Sequence, residues 1–156
     1  MPMPLAQVFF QLGCLSALTA VGIGAFGAHA LKTTLEAHNM THTYETGVSY
    51  QFYHAPGLLV AAALLSTPAG AQSRALAASG VLFTAGTVLF SGSLYALALL
   101  DVDAIGIITP FGGVSFILAW ICMMCGGHSV MSAADPHGKS STGLLSTGIQ
   151  PYSLHR

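Results

Sequence analysis

The stretch SYQFYHAPG, Ser49–Gly57, sets a glutamine and a histidine directly ahead of a proline and the apolar run Gly57–Leu65. Whether Gln51 and His54 lie in water or inside a bundle decides the fold. A helix beginning at Pro56, a favourable first position, and stopping at Thr67 would span only about 18 Å. That falls short of a hydrocarbon core about 30 Å thick. A crossing helix must therefore start near Val48, which brings Tyr50 and Gln51 into the interfacial zone and His54 about 9 Å deeper than Val48. Pro56 also removes the amide that would bond the Phe52 carbonyl, so neighbouring helices have to supply partners at this level.

The charge pattern demands a membrane reading. The 156 residues include only four basic and five acidic side chains, against roughly a quarter charged in a soluble domain. They leave four uncharged stretches, Met1–Leu31, Thr46–Ser73, Ala75–Leu100 and Ala104–Ala134, each long enough for a span of about 20 residues. Four spans are expected: Leu5–Ala28, Val48–Thr67, Ala75–Leu99 and Ala104–Gly126. The links STPAGAQSR and LDVDA are short, which makes consecutive spans antiparallel neighbours. The fold class is thus all-α, an up-and-down four-helix transmembrane bundle over residues 1–127. Thr33 and Glu36 have capping-box spacing for a short interfacial helix between spans one and two, with a new helix from Thr41 running into span two. Residues 128–156 form a tail rich in Ser, Gly, His and Pro that cannot build a core.

With a near-zero net charge nothing points to nucleic acid, and none is expected as a partner; the lipid bilayer is the first partner expected. Arg74, Lys139 and Arg156 fall on one side of the spans and Lys32 on the other, which puts both termini on the matrix or cytoplasmic side. Neither a secretory signal nor an Arg-rich presequence is evident at the N-terminus.

Alternating span direction brings GIGAFGAHAL (Gly22–Leu31), FSGSLYALAL (Phe90–Leu99) and GIITPFGGVSF (Gly106–Phe116) to the end where His54 lies. The expectation is one packed polar layer near the non-cytosolic face, made by His29, Tyr50, Gln51, His54, Ser91, Ser93, Tyr95 and Thr109. The same residues are the candidates for binding a ligand. His29 and His54, on different helices, have what bis-histidine haem ligation needs. The favoured alternative is that each imidazole bonds a carbonyl or hydroxyl, such as the Phe52 carbonyl, and no cofactor is expected. His38, His42 and Glu45 have helical spacing for zinc, but Asn39 interrupts the segment and no fourth ligand is evident, so no metal is expected. Cys122 and Cys125 have the spacing of a redox pair, yet lie among methionines in a span, where packing is the natural role. Gly13, Ala17, Ala20, Gly24 and Ala28 make a stripe that favours close helix approach. Gln11, Ser16 and Thr19 are too sparse for an ion path. With no nucleophile–base set or phosphate loop in the chain, enzyme activity is not expected.

Four blocks in order carry a family resemblance: GAFGAHAL (Gly24–Leu31), TGVSYQFYHA (Thr46–Ala55), GTVLFSGSLYALAL (Gly86–Leu99) and ITPFGGVSFILAW (Ile108–Trp120). Over Leu12–Gly126 the chain resembles transmembrane protein 256 and its small bacterial inner-membrane relatives, a domain-of-unknown-function family. The resemblance implies a four-span membrane protein with no established activity. The weakly basic turn and the long polar tail depart from the bacterial pattern. They lead to the expectation of an accessory or structural subunit of a mitochondrial inner-membrane complex, with the tail lying along other membrane-protein subunits on the matrix side. Two alternatives stand beside it: a bacterial inner-membrane location with cytoplasmic termini, and a module binding a small hydrophobic ligand (quinone, lipid or haem).

Overall fold

The computed structural model describes residues 4–134, and its regular structure is helical, with no strand among the described residues. Helix α1 is Leu5–Ala28, α2 the short Lys32–Ala37 and α3 Thr41–Leu65. A third rod, Arg74–Leu100, consists of α4 (Arg74–Gly86), a π-helical turn (Thr87–Ser91) and α5 (Gly92–Leu100). A 3-10 turn, Asp103–Ile108, leads into α6, Thr109–Ala134.

Three of these rods, Leu5–Ala28, Arg74–Leu100 and Asp103–Ala134, are long and apolar enough to cross a membrane by length and composition. Helix α3 has 25 residues, one more than α1, but Tyr50, Gln51, Tyr53 and His54 dilute its apolar character. The packing explains how it carries them. Helix α3 is central, packed against α1 and against α4, the π turn, α5 and α6, whereas α1 meets α4 chiefly through Phe9 seated on Gly80. Gln51 and His54 therefore point into a protein interior, 5% and 9% exposed. The outside is apolar: Phe10, Leu18, Val21, Val88, Phe111, Ile117 and Met124 are all exposed. A bundle with polar groups inside and an apolar surface suits lipid rather than water.

Close approach is bought with glycine at each helix crossing. A Cβ on Gly13 would meet Leu59, one on Gly27 would meet Tyr44, and one on Gly80 would meet Phe9. At Gly112 a Cβ would collide with the Phe90 backbone nitrogen, so α6 and the π turn are in backbone contact. The stripe that α1 buries is Phe9, Gly13, Ser16, Ala20 and Gly27, so Ser16 and Gly27 take the places expected for Ala17 and Ala28. The main core gathers Phe9, Leu58, Leu76, Phe83, Phe116 and Met123; a smaller one joins Leu35, Tyr44 and Ala98 under the short helix.

Several expected boundaries move. The Thr33–Glu36 capping box does not form: α2 starts at Lys32, which puts Thr33 inside the helix, and its N-cap Leu31 makes no side-chain cap. The helix of span two begins at Thr41, as expected, but ends at Leu65 and not at Thr67, since the turn before α4 starts at Ser66. The segment expected to open span four is a 3-10 turn, because Asp101 adopts φ 55° and redirects the chain, and the α-helix starts only at Thr109 with Pro110 in its first turn. Helix α6 then continues past the expected domain boundary at residue 127 as far as Ala134, anchored by buried Val130. The rest of the expected tail, with its contacts to other subunits, lies outside the described residues.

Candidate functional site

Gln51 is the polar hub. Its Nε2 donates to the Ser16 carbonyl (2.9 Å) and to Thr19 Oγ1 (2.8 Å) on α1, and its Oε1 accepts from the Tyr95 hydroxyl (2.8 Å) on α5. One amide thus joins three helices and uses both its hydrogens. Tyr95 packs on Tyr44, with ring centroids 5.2 Å apart, and the Tyr44 hydroxyl donates to the Ile23 carbonyl of α1.

His54 lies one turn further on, in an aromatic enclosure. Its ring stacks on Phe116 at 3.6 Å and 11°, with Tyr50, Phe83 and Trp120 around it at 5.7 to 6.2 Å. Its Nδ1 lies 2.7 Å from the Tyr50 carbonyl rather than from that of Phe52. A carbonyl only accepts, so Nδ1 carries the hydrogen and the neutral ring keeps Nε2 as an acceptor. Tyr50 is outward and partly exposed, stacked at 4.4 Å on Phe90 of the π turn.

A second bridge pairs Ser93 with Thr109 at 2.8 Å, tying α5 to the start of α6. Ser91, fully buried in the π turn, has no hydrogen-bond partner. Ser93, Thr109, Tyr95 and Gln51 thus belong to two neighbouring clamps, with Ser91 and His54 packed beside them.

His29 joins neither. It is exposed at the C-cap of α1, while Gly27 lies beside Tyr44 near the start of α3. His54 is about a dozen helical residues deeper, so the two imidazoles stand about 18 Å apart in depth, which rules out joint haem ligation by this pair. The layer also sits lower than expected. Ser16 falls at the middle of α1, and Gln51 and His54 near the middle of α3, not near one end. The zinc-like trio is likewise broken up. The turn at Asn39, φ 55°, leaves His38 off α3, with its Nδ1 2.9 Å from the Ala98 carbonyl. Among the described residues no group of three His, Cys, Asp or Glu side chains is placed to hold a metal ion.

Ser16 and Thr19, too sparse for an ion path, share the face of α1 turned to α3 through their three-residue spacing and serve the clamp instead. The rings Phe83, Phe116 and Trp120 around His54 come from α4 and α6, and no local pattern marks them as one set. Beyond the contact of Phe9 with Gly80, a cleft opens between α1 and α4 toward the bundle exterior. Its inner part, about 200 Å³, is lined by Ser16, Thr19, Gln51, Thr84 and Thr87 beneath Leu12 and Val88. An apolar extension of about 480 Å³ continues along Phe9, Val81 and Leu89.

Comparison with known proteins places the chain among membrane proteins. The family described as "Protein of unknown function (DUF423)" matches residues 23–113. The UPF0382 membrane protein YwdK of Bacillus subtilis (strain 168) is 46% identical over 118 residues, covering 76% of this chain and 94% of the relative. The UPF0382 membrane protein SSP2132 of Staphylococcus saprophyticus is 44% identical over 124 residues, 80% of this chain and 99% of the relative. No solved structure matches. The matched region holds every member of the two clamps except Ser16 and Thr19 for the family as a whole, and the chain belongs to the DUF423 family of uncharacterised membrane proteins.

Proposed function

We propose that this chain is a non-catalytic, four-span membrane protein that serves as an accessory component of a larger membrane assembly. The observation that supports the four-span part of the reading is the Gln51 clamp: an amide bonded to both α1 and α5 at mid-helix, inside a bundle whose outer surface is apolar. Such a centre makes α3 a crossing helix despite its lower hydropathy, because its polar side chains meet protein and not lipid. The residues of the clamp bond one another and present no nucleophile–base pair. The bacterial relatives favour a bacterial inner membrane over the mitochondrial one, whose only support is the character of the turn and tail. Basic Arg74, Lys139 and Arg156 favour cytoplasmic termini.

Single cysteines at Glu36, Gln72 and Asp103, in a chain with Cys14, Cys122 and Cys125 replaced by alanine, test the crossings. Positions 36 and 103 label from one side and 72 from the other if α3 spans; labelling of 36 and 72 from the same side defeats the reading. Migration as a lone small protein on native gels in mild detergent counts against an accessory role. A second reading, a module for a small hydrophobic ligand, gains from one observation: the polar-floored cleft between α1 and α4.

A further inference from the structure

The interhelical donor that Pro56 calls for does not come from the described residues of the bundle. Pro56 lies inside α3 and brings no amide to the Phe52 carbonyl. The polar side chains nearby bond elsewhere: His54 to the Tyr50 carbonyl, and Gln51 to Ser16, Thr19 and Tyr95. The reason is position. Phe52, Tyr53, Pro56, Val60 and Ala63 recur at three- and four-residue spacing and are all exposed, so they form the outer face of α3, opposite buried Gln51, His54, Leu58 and Ala62. Tyr53 adds a donor to that face. Tyr44 and Tyr95 place their hydroxyls on acceptors of the chain, whereas Tyr53 is 65% exposed and its hydroxyl has no partner among the described residues.

Depth decides what can cover this face. Tyr53 stands at the middle of α3, about 18 Å from either helix end, so its hydroxyl and the Phe52 carbonyl both face the interior of the bilayer. Acyl chains offer neither a donor nor an acceptor there, and a polar group left unpaired in hydrocarbon is costly. A second copy of the chain answers both groups. Copies inserted in the same direction pair about a two-fold axis along the membrane normal, which sets residues of equal depth face to face. Donor and acceptor are neighbours in sequence, so each copy brings to that level what the other lacks. Pro56 and Ala63 keep the face shallow enough for two backbones to approach. Resting on α3 as a crossing helix, we propose that the outer face of α3 is a homodimer interface, the Tyr53 hydroxyl of each copy donating to the Phe52 carbonyl of the other. Such a pair is separate from any contact with subunits of other kinds.

The test uses the full chain in phosphatidylcholine vesicles, with Cys14, Cys122 and Cys125 replaced by alanine. One cysteine then replaces Val60 on the interface, or Val88 on the rim of the α1–α4 cleft, which opens onto the opposite side of α3 at Gln51 and Leu58. Oxidation is expected to join two chains through position 60 and not through position 88. Förster transfer between chains labelled at a cysteine in place of Gln72, followed as lipid dilutes the protein, gives the dissociation constant of the pair. Tyr53→Phe raises it about eightfold, the loss of two average membrane hydrogen bonds. Pro56→Ala gives the Phe52 carbonyl its amide within the helix and raises the constant by a similar factor. The double variant goes no further, because both changes break the same bonds. Should Pro56→Ala change the helicity, Tyr53→Phe, which alters only an exposed ring, decides alone. A monomer at every dilution overturns the proposal, and so do joining through position 88 alone, a pair that Tyr53→Phe leaves unchanged, additive effects of the two variants, or a position-60 adduct formed only with a different protein in cell membranes. Cysteine labelling at positions 36, 72 and 103 reports the crossings whether or not chains pair, so a failure of the topology is seen separately from a failure of the interface.

Discussion

Replacing Gln51 by Met keeps an unbranched side chain of similar length and removes all three of its interhelical hydrogen bonds. Such bonds average about 0.6 kcal/mol in membrane bundles, with a ceiling near about 1.7 kcal/mol, so Gln51→Met should cost about 2 kcal/mol. Tyr95→Phe removes only the bond at 2.8 Å to Gln51 Oε1 and should cost about 0.6 kcal/mol, the average for one such bond. The two residues share that bond, so the double variant should be more stable than the sum predicts, by about 0.6 to 1.7 kcal/mol. Unfolding in mixed micelles with rising SDS fraction measures each corner of the cycle. The only tryptophan, Trp120, is half-exposed but reports on helix packing through its inner edge, which meets Phe83 at 4.9 Å next to His54. Additivity within about 0.3 kcal/mol would refute the clamp, because it would mean that Tyr95 and Gln51 do not interact.

Gly112→Ala should destabilise the bundle by about 3 kcal/mol, since its Cβ would press on the Phe90 backbone nitrogen, which cannot rotate away; Gly92→Ala, with nothing within 4 Å of its Cβ, should instead stabilise by about 0.5 to 1 kcal/mol. The same SDS titration compares them, and equal effects would mean that α6 does not approach the π turn so closely. Ser91→Ala deletes a buried hydroxyl that has no partner and should raise stability by about 1 kcal/mol; a loss of similar size would reveal a bond to Ser91.

The long helices were legible because charge is confined to a few positions, and charge in hydrocarbon is costly enough to mark every boundary region. Length alone put the start of span two near Val48, since a helix opening at Pro56 is too short, and the helix expected from Thr41 runs into it as one rod. Depth was less legible. Sequence places residues along a rod but not the offset between rods, which glycine contacts such as Gly13 on Leu59 and Gly27 on Tyr44 set. Hence His29 was grouped with His54 although the offset separates them by several turns. Ser16 and Thr19 looked sparse because their meaning depends on α3 being the central helix, and nothing in α1 announces that. The 3-10 turn after Asp103 was missed because its residues, Ala104 to Ile108, are as apolar as any span; only the backbone of Asp101 gives the change of direction away.

The wide turn at Thr87–Ser91 has a consequence for how the chain tolerates changes of length. A π turn is an α turn holding one surplus residue, so excising a single residue there lets the backbone relax to ordinary winding with Ser93 and Tyr95 still aimed at Thr109 and Gln51. Excision anywhere else in α4 or α5 would swivel everything downstream by about 100° and pull both contacts apart. The rod thus contains its own expansion joint, sited where α6 presses closest.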